Sequence, residues 1–527
     1  MLLNELLNKA ERLYPSKEAI VCGEQRWTYA QFAERVHRLS AALASLGVKK
    51  GDRVAILHRN CHRYLESYYA AAQMGAALVP INYRLDPSAW VDTVEDSGST
   101  VILVGEGFQD DWQSVADTVS DWCRTISCPG HIGDAERQPS MLGYEALLER
   151  ADPRDAPHPT LNEEDVAQIY YTSGTIGRGK GVILSHRNVY VHALGTIAEL
   201  KLDSSDVWLH AGPMFHLADG WAVWSITWVG GVHVVIPEFE EQAVLRAFEQ
   251  EGVTITSLIP TMLNALVNYP RVGQFDSSTL RLLLSGGSPI AEALVRQTME
   301  TFGCEFAQGY GLTETSPYVT LSLLKDHLHN LSTDEQVRYL STAGREFIAA
   351  QVRVVDEKGN DVKPDGRQVG EVIMRGDTVT KGYWKLPELT RQSFQDGWLY
   401  SGDLAVIDEE GYLTIVDRKR DVIFPGGEPV YSVPVENVLY SHPTVLEAAV
   451  IGVPDQELGQ TVKAVVVLKE GQEATEEEII QFCRERMAET QAPRSVDFVQ
   501  SLPKTGSAKI AKVAIRDEYW KGSPGAS

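Results

Sequence analysis

Apolar positions at the start of the chain recur at helical spacing. M-L-L-N-E-L-L-N-K-A-E-R mixes leucines with both signs of charge, which predicts an amphipathic helix; a signal peptide needs an uninterrupted apolar stretch. Phe32, Val36, Leu39, Leu43 and Leu46 predict a second helix, because positions three and four apart share one face. Thr28 and Gln31 have the spacing of a capping box, and Gly47 stands where a helix C′ glycine belongs. R-V-A-I-L at 53–57 reads as a buried strand, Tyr64–Met74 as a helix and A-A-L-V-P-I as the next strand. Strand–helix–strand order at this spacing predicts βαβ units and a parallel sheet. The alternation continues through V-H-V-V-I, I-T-S-L-I and L-R-L-L-L.

Beyond about residue 350 the pattern shortens. Q-V-R-V-V-D and G-E-V-I-M-R alternate and are separated by turn dipeptides, which predicts antiparallel strands. D-R-K-R-D at 417–421 gathers five charges, and about a hundred residues follow it. They hold the strands A-A-V-I-G-V and V-K-A-V-V-V-L, a helix opened by Thr475 with Glu478 as capping-box partner, and the basic tail P-K-T-G-S-A-K-I-A-K. A domain boundary is placed near Lys419. Gly220 to Pro237 contains no Asp, Glu, Lys or Arg and reaches the ~18 residues of a spanning helix. Gly230-Gly231 interrupts it, so a buried helix, a turn and a core strand are expected.

At 527 residues with a net charge of −24, the chain has room for at least two domains and lacks the basic footprint that nucleic-acid binding needs. Its six cysteines form no C-x-x-C pair and no His-spaced zinc pattern, which points to a reducing compartment and a cytoplasmic protein without an integral membrane segment.

Candidate chemistry begins at Y-Y-T-S-G-T-I-G-R-G-K-G (170–181). From Gly174 the spacing matches a Walker loop, but Gly181 stands where a metal-binding Ser or Thr is required. V-A-Q-I-Y-Y before the loop reads as a strand, and V-I-L-S-H-R-N-V after it as leading into a helix. Thr172, Ser173, Gly174, Thr175, Gly177 and Gly179 offer hydroxyls and open backbone N–H groups, and Lys180 a charge, a set suited to phosphate oxygens; an ordinary turn has the same composition. G-Y-G-L-T-E-T (309–315), S-G-D (401–403), D-R-K-R-D and the tail lysine each have a bland alternative as well: a surface carboxylate, a turn former, a solvated charge run, an exposed lysine.

Together with P-M-F-H (213–216), W-L-Y-S-G-D and D-R-K-R-D-x-I-x-x-G-G-E, and in this order, these stretches resemble the adenylate-forming superfamily of acyl-CoA synthetases, luciferases and peptide-synthetase adenylation domains. The resemblance runs from about Trp27 to the last lysines. It implies an α/β fold: a large multi-layer N-terminal domain with parallel sheets (1–418) and a small α+β C-terminal domain (419–527) on a hinge at Arg420. It implies ATP, Mg²⁺ and CoA as reactants or cofactors and a small carboxylic acid as partner; a homodimer is one assembly open to the chain.

By resemblance, the 172–180 loop clamps phosphates, while Glu314 with Thr172 holds the metal. Tyr310 beside Gly287, with Gly311 and Thr313, meets the adenine; Asp403 takes the ribose hydroxyls, with Arg418 beside it. Lys509 bridges the substrate carboxylate and the α-phosphate, His216 gates the acyl and thiol channels, and Gly426-Gly427 line the CoA path.

The chain departs from the family pattern at Ile176 (usually a hydroxyl residue), Gly179 (usually Pro), Arg420, Pro429, Pro434 and S-A-K at 507–509. Trp221, Trp224 and Trp228 recur on one helix face and read as a core stripe, or, for Trp221 with Gly309, as an acyl-pocket wall. A medium- or long-chain fatty acid is the first substrate expected and an aryl acid the second. No carrier-protein domain follows Lys509, which points to free CoA. A luciferase shares the motifs. A non-catalytic nucleotide- or acyl-binding protein and a P-loop phosphohydrolase are the alternatives from other classes.

Overall fold

The computed structural model describes residues 1–128, 142–172, 179–506 and 508–521. The leucine-rich start forms the helix Asn4–Leu13, with Leu6, Leu7 and Ala10 buried. The next helix, Tyr29–Ser45, buries Phe32, Val36, Leu39 and Leu43 on one face. Thr28 and Gln31 form both halves of the expected capping box, and Gly47 has φ +94°, the left-handed turn that stops the helix.

Among the described residues the strands form four sheets. The first runs Leu142–Gly143, Arg124–Cys128, Val101–Gly105, Arg53–Leu57, Ala77–Pro80, Val166–Thr172 and Lys180–Ser185, parallel except for the last pair. Val101–Gly105 is buried at every position, as expected of a parallel strand covered on both faces. The second sheet has nine strands, and Glu18–Cys22, Val232–Val235, Val207–His210, Ile255–Ser257, Leu282–Gly286 and Glu305–Gly311 are its parallel centre. One continuous apolar core joins these two sheets.

The third sheet is antiparallel, built on Gln351–Val355, Gly370–Arg375, Trp398–Ile407 and Leu413–Arg418. The fourth has three strands, Val445–Asp455, Gly459–Leu468 and Ser495–Phe498. It packs with the helices Ser432–Tyr440 and Glu476–Arg484 around a separate core that includes Leu439, Val450, Ala464 and Ile479. The architecture is therefore mixed α/β, with a large N-terminal domain of parallel sheets and a small C-terminal one.

Two local expectations change. V-I-L after the phosphate-type loop is the second strand of an antiparallel hairpin, with Tyr171 opposite Gly181 and Thr172 opposite Lys180. The helix begins only at His186, capped by Ser185 and Asn188. Alternation over so few residues could not separate a strand from a helix lead-in. The tryptophan stripe is also divided. Trp221 joins two short helices, Leu217–Gly220 and Ala222–Val229, and packs edge-on against Trp208 and Tyr318, whereas Trp224 packs against Tyr68 and Tyr69. The uncharged stretch ends in the strand Val232–Val235, and no helix among the described residues is long and apolar enough to cross a membrane.

Candidate active site

Two neighbouring strands create the first part of the site. Trp398–Ile407 and Leu413–Arg418 pair antiparallel with Asp403 opposite Arg418. Their side chains share a sheet face as cross-strand neighbours do, and Arg418 Nε lies 3.3 Å from Asp403 Oδ1. Tyr310, near the end of the strand Glu305–Gly311, donates its hydroxyl to Asp403 Oδ2 at 2.9 Å. Burial raises the Asp403 carboxyl and the Arg418 cation opposes that rise. This leaves a buried carboxylate between an aromatic ring and a guanidinium, a suitable acceptor for ligand hydroxyls.

The tail lysine enters the same cluster. Gly287 follows the strand Leu282–Gly286 with φ +83°, and a Cβ there would lie 2.9 Å from Lys509 Cε and 3.1 Å from Nζ. The absence of a side chain at 287 therefore leaves the path of Lys509 open. The loop carrying Lys509 is tied to the large domain by Thr261 Oγ1–H to the Ala508 carbonyl (3.0 Å) and by an Arg84 guanidinium N–H to the Gly506 carbonyl (3.1 Å). Ala508 has φ +63°, where a glycine would sit without strain; the departure S-A-K thus costs this loop about 1–2 kcal/mol.

Burial, reinforced by the Arg418 cation and opposed by Asp403, brings the Lys509 ammonium down to about 8. His216 is brought down to about 3 by burial and by the nearby Lys509 charge. Its Nδ1 accepts the Ala218 N–H at 3.1 Å, which leaves the proton of the neutral ring on Nε2.

A second cluster lies at the foot of the hairpin. Glu314 sits in the turn Thr313–Thr315, just after the strand that carries Tyr310, and is 6% exposed. Its Oε1 is 3.3 Å from Lys180 Nζ and accepts the Tyr383 hydroxyl at 2.8 Å. Thr172, cross-strand from Lys180, has a buried Oγ1 without a hydrogen-bond partner among the described residues. A buried carboxylate paired with Lys180, and an orphaned hydroxyl cross-strand from that lysine, are oxygen ligands of the kind a hard cation takes, with the rest of its shell from phosphates and water. The described residues contain no cluster of three or more His, Cys, Asp or Glu that could hold a metal by themselves.

Gly309 adjoins the aromatic wall. A Cβ there would collide with the Tyr318 ring, which packs edge-on against Trp221 at 5.5 Å; Trp221 in turn meets Trp208 at 5.0 Å. His192 touches both Trp221 and Tyr318, and burial brings it down to about 3, so the wall is uncharged. Gly311 is closed in by the Pro317 carbonyl.

Gly426 and Gly427, at φ +64° and +92°, lie in the turn Pro425–Gly427, held by the Gly426 N–H to the Leu458 carbonyl. Arg420 lies 3.8 Å from Asp421. Ser173, Gly174, Thr175, Ile176 and Gly177 lie outside the described residues.

The structure thus brings Lys509, Gly287, Tyr310, Asp403, Arg418 and His216 into one group, pairs Lys180 with Glu314, and sets Thr172 cross-strand from Lys180. Sequence reasoning missed Tyr383, Tyr318, Thr261 and Arg84. Only Tyr318, three residues after Thr315 in the motif stretch, stood near a signal that could have drawn attention to it.

A family model described as AMP-binding enzyme matches residues 7–384, and one described as AMP-binding enzyme C-terminal domain matches residues 434–509. Feruloyl-CoA synthase from Amycolatopsis sp is 36% identical over 512 residues, spanning 96% of this chain and 97% of that protein. The long-chain-fatty-acid–CoA ligase of Thermus thermophilus is 36% identical over 528 residues, spanning 98% and 95%. The crystal structure of an anthranilate CoA ligase in complex with anthranoyl-AMP superposes with a TM-score of 0.89 at 26% identity, covering 98% of this chain and 97% of that one.

Proposed function

Since the chain belongs to the AMP-binding enzyme family, with acid–CoA ligases as its relatives, we propose that it joins an apolar fatty or aromatic carboxylic acid to CoA through an acyl-adenylate. The observation that carries this reading is the convergence of Lys509, Gly287, Asp403, Arg418 and His216, from separate segments of the chain, on one site.

A carboxylate oxygen attacks the α-phosphorus of ATP, forming a C(O)–O–P bond as the bond to pyrophosphate breaks. Lys509 holds the acid and the α-phosphate together and stabilises the charge that develops between them. Asp403, steadied by Tyr310 and Arg418, accepts the ribose hydroxyls. Lys180 neutralises phosphate charge. Thr172 and Glu314 would hold Mg²⁺, which when bound supplies Lewis-acid shielding of the triphosphate.

In the second step the CoA sulfur attacks the acyl carbonyl, a C–S bond forms and AMP leaves. The small domain, taken as 419–527, turns about Arg420 so that Lys509 withdraws and the Gly426-Gly427 turn lines the thiol path. The neutral His216 ring, with its proton on Nε2, stands beside the acyl group without adding charge.

Because the protonated lysine does the work, kcat/KM for adenylation should fall about tenfold per pH unit above pH about 8. Lys509→Arg keeps the cation at all pH values used and should remove that falling limb. A limb unchanged in this variant would assign it to another group.

The acid is read from the wall beside Gly309. Trp221, Tyr318 and His192 carry no charge to meet a second carboxylate. This favours an apolar acid: a medium- or long-chain fatty acid, supported by the Thermus relative, or an aryl acid, supported by the feruloyl relative. Tyr318→Ala should open the wall and shift kcat/KM toward longer acids by roughly tenfold or more. An unaltered preference would remove Tyr318 from the pocket.

The deciding experiment presents short, long-chain and aryl acids with ATP and CoA, and scores AMP, pyrophosphate and thioester. Production of ADP and phosphate would indicate a phosphohydrolase. No turnover with any acid would favour a binding protein.

A further inference from the structure

Tyr383 lies in the stretch K-G-Y-W-K, outside every motif used above, yet it touches both members of the Lys180–Glu314 pair. It is 6% exposed. Its hydroxyl donates to Glu314 Oε1 at 2.8 Å, Lys180 Nζ is 3.3 Å from the same hydroxyl, and that Nζ stands 4.6 Å from the ring centroid.

The backbone around it is anchored on both sides. The Thr380 N–H donates to the Glu314 carbonyl at 2.7 Å. The Ile183 N–H donates to the Gly382 carbonyl, the Trp384 N–H to the Gly181 carbonyl, and Val182 bridges to Tyr383. Residues 380–384 are therefore a strap sewn to the Glu314 turn on one edge and to the strand Lys180–Ser185 on the other.

A divalent cation and the Lys180 ammonium cannot share Glu314 Oε1, since two positive charges at that spacing repel. A metal–nucleotide complex therefore weakens the hold of Oε1 on Lys180, and its phosphates offer that ammonium a stronger partner. The Tyr383 hydroxyl is neutral and can stay on its own lone pair, holding the carboxylate in place, while the ring face keeps favourable contact with the departing cation.

We propose that Tyr383 is a positioning residue that fixes Glu314 for metal binding and hands Lys180 from the carboxylate to the phosphates. The proposal rests on the reading of Glu314 as metal carboxylate and Lys180 as phosphate cation.

Tyr383→Phe keeps the ring and deletes only the hydroxyl. The probe is Mn²⁺, titrated by electron paramagnetic resonance against the full-length protein with α,β-methylene-ATP, alongside nucleotide affinity in EDTA. The expected result is an apparent Mn²⁺ affinity weakened by about 10–100-fold with metal-free nucleotide affinity unchanged. Tyr383→Phe combined with Glu314→Gln should bind Mn²⁺ no more weakly than Glu314→Gln alone.

Unchanged Mn²⁺ affinity in Tyr383→Phe, or an additive loss in the double variant, would overturn the proposal. Equal loss of metal-free and metal-dependent binding would also overturn it, because that marks a general disturbance of the fold. If Glu314→Gln alone binds Mn²⁺ as the parent does, the metal-carboxylate reading has failed instead.

Discussion

Replacing Lys509 by alanine is expected to slow acyl-adenylate formation by about 10²–10³-fold, the cost of deleting one preorganised charge from a developing transition state. Thioester formation from supplied acyl-adenylate should stay near the parent rate. The asymmetry follows from geometry. Lys509 reaches past Gly287 to the Asp403–Arg418 pair, where a nucleotide's sugar and α-phosphate would lie, while its loop is pinned by Thr261 and Arg84. In the proposed cycle the small domain turns before thioester formation, so the lysine would have no part in the C–S bond. Pyrophosphate exchange measures the first half-reaction, and CoA consumption with synthetic acyl-adenylate measures the second. Adenylate formation at the parent rate would remove Lys509 from its role.

Glu314→Gln should lower adenylation by about 10²-fold and flatten its dependence on Mg²⁺ concentration, with only a small change in melting temperature. Glutamine preserves the shape and can still accept the Tyr383 hydroxyl, so the turn Thr313–Thr315 keeps its anchor. What disappears is the negative charge. A neutral amide binds a hard cation poorly, and Lys180 loses the partner that now lies 3.3 Å away. Metal titrations of pyrophosphate exchange, with thermal melts on the same samples, separate the two effects. Full activity with an unchanged Mg²⁺ profile would move the metal elsewhere.

Local grammar made much of the fold legible. The capping boxes at Thr28 and Thr475, the stop at Gly47 and the buried runs R-V-A-I-L and V-H-V-V all stand where the pattern places them. They depend on near neighbours, which a sequence displays. The hairpin Val166–Ser185 was harder, because V-I-L is too short for its period to separate strand from helix.

The candidate site was legible where a charged residue stood inside a recognisable stretch: Asp403, Arg418, Glu314, Lys509. It was not legible where an ordinary aromatic or hydroxyl residue acquires its place through tertiary packing. Tyr383 meets Glu314 across sixty-nine positions of chain, and Thr261 meets Ala508 across 247. No spacing rule reaches that far.

The antiparallel hairpin has one more consequence. In a strand-to-helix phosphate loop, the aligned peptide dipoles of the helix supply a fixed positive end. Among the described residues, the next helix starts at His186, six positions beyond Lys180. At ~3.4 Å per step that is roughly 20 Å away. A dipole is built into any backbone and no point mutation removes it, whereas a lysine is one codon. On the proposed reading, anion affinity here rests on Lys180 and not on a helix dipole, so a single substitution at that lysine can alter it without unmaking the fold.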